Sequence, residues 1–242
     1  MRTIIAATFI SLDGVMQAPG GPEEDPSGGF DHGGWRAAGW EDAVGEAVDE
    51  IFAEPFDLLL GRRTYDIFAA HWPFVPTDPA AEGYDPGMAA IAEKFDTITK
   101  YVATRRPESL SWTGTEWLGA DPVATLRRLK AEDGPNLLLQ GSSVLIQTLL
   151  ANDLIDRFRL MVSPLVLGEG KRLFGPGTLA RSLRHTGTRT TPGGTAILDY
   201  VLGGAVATAS FALETPTPEE VERRQRMSEE ESGPAAIGRA SP

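Results

Sequence analysis

The chain contains no cysteine and only three histidines among its 242 residues. A disulfide framework is thereby excluded, as is any metal centre or nucleophilic catalysis that needs a thiolate. His32, His71 and His185 share no repeated ligand spacing, so no metal site is expected. Basic residues are in deficit too: 22 lysines and arginines stand against 34 aspartates and glutamates, a formal net charge of −12. A surface of that sign disfavours general affinity for nucleic acid or anionic membrane. No apolar run approaches the roughly 20 residues that a spanning helix needs. The opening MRTIIAATFI is broken by Thr8, is soon followed by Ser11 and Asp13, and reads as a buried strand rather than a leader. The expected setting is cytoplasmic, with no nucleic-acid and no membrane partner. Two phosphate-binding signatures are missing as well. Neither GxxxxGK[ST] nor a GxGxxG after the first strand occurs, which argues against a nucleoside triphosphatase and an ordinary dinucleotide-binding dehydrogenase.

What is present suffices for a core: 41% of residues are hydrophobic, which suits a single α/β domain of about 200 residues. Thr3 to Ile10 is an almost unbroken β-rich apolar run, the pattern of a strand covered on both faces, and it ends in the turn signal Ser11-Leu12-Asp13-Gly14. From Gln17 to Gly39 glycine, proline and acidic residues dominate, with Phe30 and Trp35 among them. A loop of that length carrying aromatics has the character of a lid or binding loop. Val44, Ala47, Val48, Ile51 and Phe52 then recur at helical spacing opposite Glu46, Asp49 and Glu50.

Three β-rich segments run into polar turns: Asp57 to Leu60 into Gly61-Arg62-Arg63-Thr64, Thr97 to Ala103 into Thr104-Arg105-Arg106-Pro107, and Leu137 to Leu139 into Gly141-Ser142-Ser143. Asp121-Pro122 is an N-cap and first-turn pair for a further helix. Repeated strand–turn–helix units predict an α/β fold with a mainly parallel sheet covered by helices. After Asn152 the pattern changes. Phe158, Leu160 and Val162 alternate with Arg157, Arg159 and Met161, and Leu183 to Thr190 and Thr195 to Leu202 resemble a terminal antiparallel pair around Thr191-Pro192-Gly193-Gly194. Beyond Leu213 charge replaces apolar residues, so the expected division is a domain over 1–213 and an acidic, largely disordered tail over 214–242 that opens with a short exposed helix.

A dinucleotide needs backbone N–H groups at helix starts and fixed cations for its phosphates, and the strand-to-helix turns offer both. Gly61 permits close backbone approach, Arg62 and Arg63 can bind phosphate, and Thr64 can cap its helix or bind an anion. The same four residues also read as a capped helix with two solvated arginines. Gly141-Ser142-Ser143 offers amides and hydroxyls for a pyrophosphate, or a plain cluster of capping residues. Phe30, His32, Trp35 and Trp40 could cover a flat heteroaromatic ring by stacking, or pack on their own domain or on a second subunit.

Taken in order, ISLDGVM, LLLGRRTYD, YVATRRP, LLLQGSSVLIQTLL and LIDRFRLMVSPLVLGEGKRLF resemble the dihydrofolate-reductase-like superfamily over about Arg2 to Leu202. The nearest branch is similar to the reductase domain of the bifunctional riboflavin-biosynthesis deaminase-reductase and its stand-alone bacterial relatives. The resemblance implies a three-layer α/β/α fold, with a mixed, mainly parallel central sheet and antiparallel C-terminal strands. It implies NADPH as cofactor, with Phe9, Ser11, Leu12, Asp13 and Met16 near the nicotinamide. Arg62, Arg63 and Thr64 would then serve the phosphates, Thr104 and Arg105 the adenosine ribose, and Gly141, Ser142, Ser143, Val144 and Leu145 the pyrophosphate. Gln140 and the aromatics Phe30, Trp35 and Trp40 would face substrate. The zinc-binding deaminase half has no counterpart in this cysteine-free chain. The helix after the long loop offers Glu41, Asp42, Glu46 and Asp49 where dihydrofolate reductases place a protonating carboxylate, and Asp42, near the helix start, is the choice for proton donor.

The implied activity is an NADPH-dependent oxidoreductase that transfers hydride from the nicotinamide to a C=N or C=O of a small pterin-, pyrimidine- or flavin-related molecule. The alternative is a non-catalytic nucleotide or pterin-type ligand-binding protein on the same fold. The riboflavin-type domains it resembles commonly pair, and the apolar stretch from Phe158 to Leu167 suits a homodimer.

Overall fold

The computed structural model describes residues 1–232. The chain divides into two compact units, Met1–Ala205 and Val206–Pro242. In the first, an eight-stranded sheet has the order β4-β3-β2-β5-β1-β6-β8-β7. The strands are β1 (Ile4–Ser11), β2 (Phe56–Gly61), β3 (Lys100–Ala103), β4 (Thr115–Trp117), β5 (Asn136–Leu139), β6 (Arg157–Ser163), β7 (Ser182–Thr190) and β8 (Ala196–Gly204). Every pairing from β4 to β6 is parallel; β6 with β8 and β8 with β7 are antiparallel. Helices cover both faces, so the domain has the three α/β/α layers and the mixed, mainly parallel sheet that were expected.

The unbroken apolar runs follow from covering both faces, because successive strand side chains point to opposite sides. On β1, Ile4, Ala6 and Ile10 enter one core while Ile5 and Ala7 enter the other. Leu59 divides from Leu58 and Leu60 on β2 in the same way, and Leu138 from Leu137 and Leu139 on β5. The first core is closed by α4 (Pro122–Ala131) and α5 (Ser143–Ala151) through Leu126, Leu129, Ile146 and Leu149. The second is closed by α1 (Asp42–Ala53), α2 (Arg62–Ala69) and α3 (Pro86–Thr97). There Phe95 is the aromatic hub, with Phe52, Phe56, Phe68, Trp72 and Trp112 at centroid distances of 4.9 to 6.5 Å.

Asp121 caps α4 by accepting from Ala124 N–H at 3.0 Å, and Asp85 caps α3 from Met88 N–H at 2.8 Å, each followed by a proline in the first turn. The strand–turn–helix reading needs one correction: β3 leads to a 3₁₀ turn, Pro107–Ser109, and the short edge strand β4, before α4 begins. Three residues are too few to leave an alternating signal. The last sheet strand ends at Gly204, and the first compact unit ends at Ala205. The second unit holds a helix, α6 (Pro218–Ser232), with Glu219 and Glu220 in its first turn and Arg223 and Arg224 paired to Glu220. The disorder expected over 233–242 lies outside the described residues. Among the described residues, no helix is long and apolar enough to cross a membrane.

Below the sheet Arg2 is buried with its guanidinium shared among Pro135 O at 2.7 Å, Tyr101 Oη at 3.3 Å and the carboxylate of Asp57, whose second oxygen accepts from Thr99 N–H at 3.0 Å. Asp57→Ala strands this cation without its counter-charge, and a loss of about 3–5 kcal/mol in urea unfolding is expected. The double variant Arg2→Met/Asp57→Leu should recover most of it; a double variant as unstable as the single one contradicts a charge-stranding cause.

Candidate active site

The C-terminal ends of β2, β3 and β5 and the starts of α2 and α5 enclose a cleft of about 670 Å³. Its floor is a junction between two turns. Ser142 Oγ accepts from Gly61 N–H at 2.7 Å and donates to Thr64 Oγ1 at 2.7 Å. Gly61 has an ordinary extended φ of −81°, so the glycine is needed for space: a Cβ there would lie 2.8 Å from both Cβ and Oγ of Ser142. Ser142 itself sits at φ 76°, in the left-handed region that L-residues seldom enter. That conformation turns its hydroxyl away from α5 and onto the neighbouring turn. Neither α2 nor α5 has a side-chain cap, in contrast to α3 and α4. Two helix starts thus present uncapped amides and positive dipole ends to one cavity.

Gly61, Arg62, Arg63, Thr64, Thr104, Arg105, Gly141, Ser142, Ser143, Val144 and Leu145 all line the cleft, as does Gln140, whose amide has no hydrogen-bond partner among the described residues. Arg62 is braced by Asp66, at 2.9 Å from Nε, and by Arg106 O at 3.2 Å; the Asp66 bond is foremost in raising its pKa. Thr104 Oγ1 accepts from Arg106 N–H at 3.0 Å and shapes the turn. Arg105 is exposed and has no partner among the described residues.

The residues placed near the nicotinamide divide. Met16 is in the cleft wall, whereas Phe9, Ser11, Leu12 and Asp13 are not among the residues that line it. Leu12 is exposed. Asp13 accepts from Ser11 Oγ at 2.6 Å and from Leu167 and Gly168 N–H at 3.1 and 2.9 Å, and pairs with Arg172 at 3.3 Å. These bonds, the Ser11 hydroxyl first, hold its pKa down at about 2.

The aromatics do not gather over the cleft. Phe30 and Trp35 pack with Val15 and Ala18 in a small core, where Trp35 Nε1 donates to Gln17 O at 2.8 Å. Trp40 is half-exposed and sits edge-on to Phe9 at 6.1 Å, with buried Arg36 over both rings at 5.7 and 5.8 Å. Asp42 lies exposed in the first turn of α1, outside the cleft lining. Its neighbour Glu41 accepts from Thr191 Oγ1 at 2.5 Å, from Gly193 N–H at 2.8 Å and from Thr195 Oγ1 at 3.3 Å. The Thr191 bond leads in lowering its pKa, so at neutral pH Glu41 is an ionised strut of the β7–β8 turn.

Sequence reasoning missed Gln17, Glu24, Asp25 and Lys171, all in the wall. Lys171 lies within GEGKRLF, and its position depends on Gly170: φ is 114° and a Cβ would be 2.7 Å from Val15 Cγ1, so the chain folds flat against Val15 and Met16 N–H donates to Lys171 O at 2.8 Å. Glu24 has its pKa raised, burial being the largest cause.

The sheet order and this two-turn cleft define the protein as a member of the dihydrofolate-reductase-like class. Within that class the family model of the RibD C-terminal domain matches residues 2–197, and the chain belongs to that family. Uncharacterized protein YyaP of Bacillus subtilis (strain 168) is 27% identical over 207 residues, covering 84% of this chain and 96% of YyaP. A pyrimidine reductase-like protein from Corynebacterium diphtheriae NCTC has a TM-score of 0.53 at 12% identity, covering 83% of this chain and 92% of that one. Dihydrofolate reductase from Enterococcus faecalis, solved with NADP(H) and RAB-propyl, has a TM-score of 0.50 at 13% identity, covering 82% and 96%. At these identities the solved structures speak for the fold alone.

The carboxylate of Asp13 is favoured in the folded state, so its contribution to stability is complete above the ordinary value of 3.8 and is lost as pH falls from there through about 2. The stability gap between wild type and Asp13→Asn should therefore be constant from pH 7 to 5 and shrink between pH 4 and 2.5, measured by urea unfolding; a gap that widens with acid has the wrong sign. Gly61→Ala should cost about 1–3 kcal/mol through overpacking, and adding Ser142→Gly should restore most of it by removing the atoms struck. Strict additivity of the two changes in thermal unfolding excludes this contact as the reason for the glycine.

Proposed function

We propose that this protein is an NADPH-dependent reductase that delivers hydride to a C=N or C=O of a small pterin-, pyrimidine- or flavin-related molecule. The reductase class follows from membership of the RibD C-terminal domain family. One observation carries the cofactor: the uncapped starts of α2 and α5 open onto a cleft that also collects Arg62, Arg63, Arg105, Arg106 and Lys171 in a chain of net charge −12. Backbone amides and clustered cations are what a diphosphate with a further ribose phosphate requires. In this reading the Gly61–Thr64 and Gly141–Leu145 turns hold the diphosphate, and Arg105, which has no partner among the described residues, takes the ribose phosphate beside Arg62. Bound there, the nicotinamide supplies the hydride.

The chain's own part is to orient the two rings and exclude water. Gln140, whose amide has no partner among the described residues, offers it to the substrate's polar edge. Proton delivery falls to solvent or to Glu24, a cleft carboxyl whose pKa is raised by burial, since Asp42 is outside the wall and Glu41 is held ionised. Of the stretch from Phe158 to Leu167 read as suiting a homodimer, Phe158 and Leu160 are buried in this chain's own core, so a pairing of two copies would have to use the exposed Val166 beside Leu12.

The second reading, a nucleotide or pterin-type binder without turnover, is favoured by the commitment of Glu41 to the β7–β8 turn. NADPH titration followed by NADPH-oxidation assays on a panel of pterins, pyrimidines and flavins separates the two: binding with no turnover on any compound supports the binder. Arg105→Ala should weaken NADPH by about 1.5–3 kcal/mol while leaving NADH nearly unchanged, because NADH lacks the ribose phosphate. Equal losses for both nucleotides refute that assignment.

A further inference from the structure

At the edge of the cleft the loop after β1 meets the start of α2 through one carboxylate. Arg63 Nη1 donates to Asp25 Oδ1 at 2.8 Å and to Ser27 Oγ; Lys171 Nζ donates to Asp25 Oδ2 and, at 2.7 Å, to Ser27 Oγ. Gln17 ties the backbone to the same point: its Nε2 donates to the carbonyls of Asp25 and Ser27, each at 2.8 Å, and its Oε1 accepts from Lys171 N–H at 2.9 Å. The Asp25 side chain is 11% exposed, whereas those of Arg63 and Lys171 are 57% and 34% exposed. Two accessible cations thus converge on a nearly buried anion.

The charges do not balance. One carboxylate faces two cations, and Arg63 also stands in the first turn of α2, whose uncapped end adds positive potential. The neighbouring Glu24 does not pair with either cation, because its carboxyl turns back to accept from Gly20 N–H at 2.6 Å. A phosphate group, with up to two negative charges and three free oxygens, satisfies a guanidinium and an ammonium together better than one carboxylate does. The residues that meet here are far apart in the chain, so the cations are held in place by the fold and the loop by the cations.

We propose that Arg63 and Lys171 form a phosphate-binding pair that the carboxylate of Asp25 occupies in this structure, and that a phosphate ester or diphosphate entering the cleft takes both cations and releases the loop around Asp25. The proposal rests on the reading above for the approach of phosphate to Arg63; it adds Lys171 as the second cation and Asp25 as the group displaced, and leaves the source of the phosphate, cofactor diphosphate or a phosphorylated substrate, to the test.

The test is calorimetric titration of the full chain and of its Asp25→Asn, Lys171→Met and Lys171→Arg variants with inorganic pyrophosphate, ribose 5-phosphate, NADPH and NADH. Removing the internal competitor should tighten the bound phosphate about tenfold, and removing the ammonium should weaken it by about ten- to a hundredfold, with Lys171→Arg close to wild type. If the cofactor supplies the phosphate, NADPH and NADH follow pyrophosphate through the series. If substrate supplies it, ribose 5-phosphate binds the NADPH-saturated protein in a Lys171-dependent way while NADPH affinity stays level. Unchanged affinities for every probe in both Asp25→Asn and Lys171→Met overturn the pair, and so does tightening in the first without weakening in the second. Amide hydrogen exchange over residues 19–29 of the wild type should quicken when pyrophosphate binds; unaltered exchange overturns release of the loop. Loss of NADPH binding alone, with pyrophosphate behaving as stated, leaves the pair standing and removes the cofactor reading.

Discussion

The hydrogen bonds from Gly61 N–H to Ser142 Oγ and from Ser142 Oγ to Thr64 Oγ1 join two strand-to-helix turns into a single surface. Neighbouring parallel strands bring the ends of β2 and β5 side by side, but the turns beyond them would diverge without a contact of this kind. The approach is close enough to require glycine on one side and a left-handed serine on the other. The serine conformation costs backbone energy, of order 1–3 kcal/mol for residues in such regions, and the fold sustains it because both helix starts are fixed by their cores. With its hydroxyl spent on the neighbouring turn, the serine leaves the first amides of α5 open, and Thr64 likewise gives its oxygen to the serine. Two helix starts are therefore available to a ligand at the same place.

Charge follows the same geometry. The chain is strongly acidic, yet cations collect where β2, β3 and the 164–173 loop reach the cleft. Each is positioned by a different device: Arg62 by Asp66 one helical turn on, Lys171 by the backbone bend at Gly170, Arg63 by the carboxylate of Asp25. Arg105 is exposed and has no such brace among the described residues. The loop after β1 is thus fastened by electrostatics at the cleft and by a small apolar core beneath, where Phe30 and Trp35 are buried. That division separates a part that can exchange partners in water from a part whose displacement would expose two aromatic rings.

The proton-donor question turns on a single residue shift. Glu41 and Asp42 are adjacent at the start of α1, but Glu41 reaches the β7–β8 turn and is stabilised as an anion by three donors, while Asp42 faces solvent. A carboxylate held by hydrogen bonds to its charged form is a poor acid near neutral pH. Glu24, whose burial opposes ionisation, has the opposite electrostatic setting within the cleft.

Much of this molecule was determined locally. The strands around the cleft announce themselves through runs such as Leu58-Leu59-Leu60 and Leu137-Leu138-Leu139, because burial on both faces leaves no place for a polar residue. Asp121-Pro122 marks a helix start because capping is a contact between residues three apart. The Gly-Arg-Arg-Thr and Gly-Ser-Ser turns could be placed at strand ends for the same reason. Tertiary structure alone decided what those residues touch. Ser142 meets a glycine 81 positions away, Asp25 meets a lysine 146 positions away, and Phe30 and Trp35 turn inward although their glycine-rich surroundings suited a mobile cover. Periodicity and caps report interactions within a few residues of chain. Which of several like charges or rings becomes a partner depends on distances set only when the whole sheet is assembled, so Lys171 looks like any solvated cation in the sequence, and only the fold brings it to the carboxylate that Arg63 also holds.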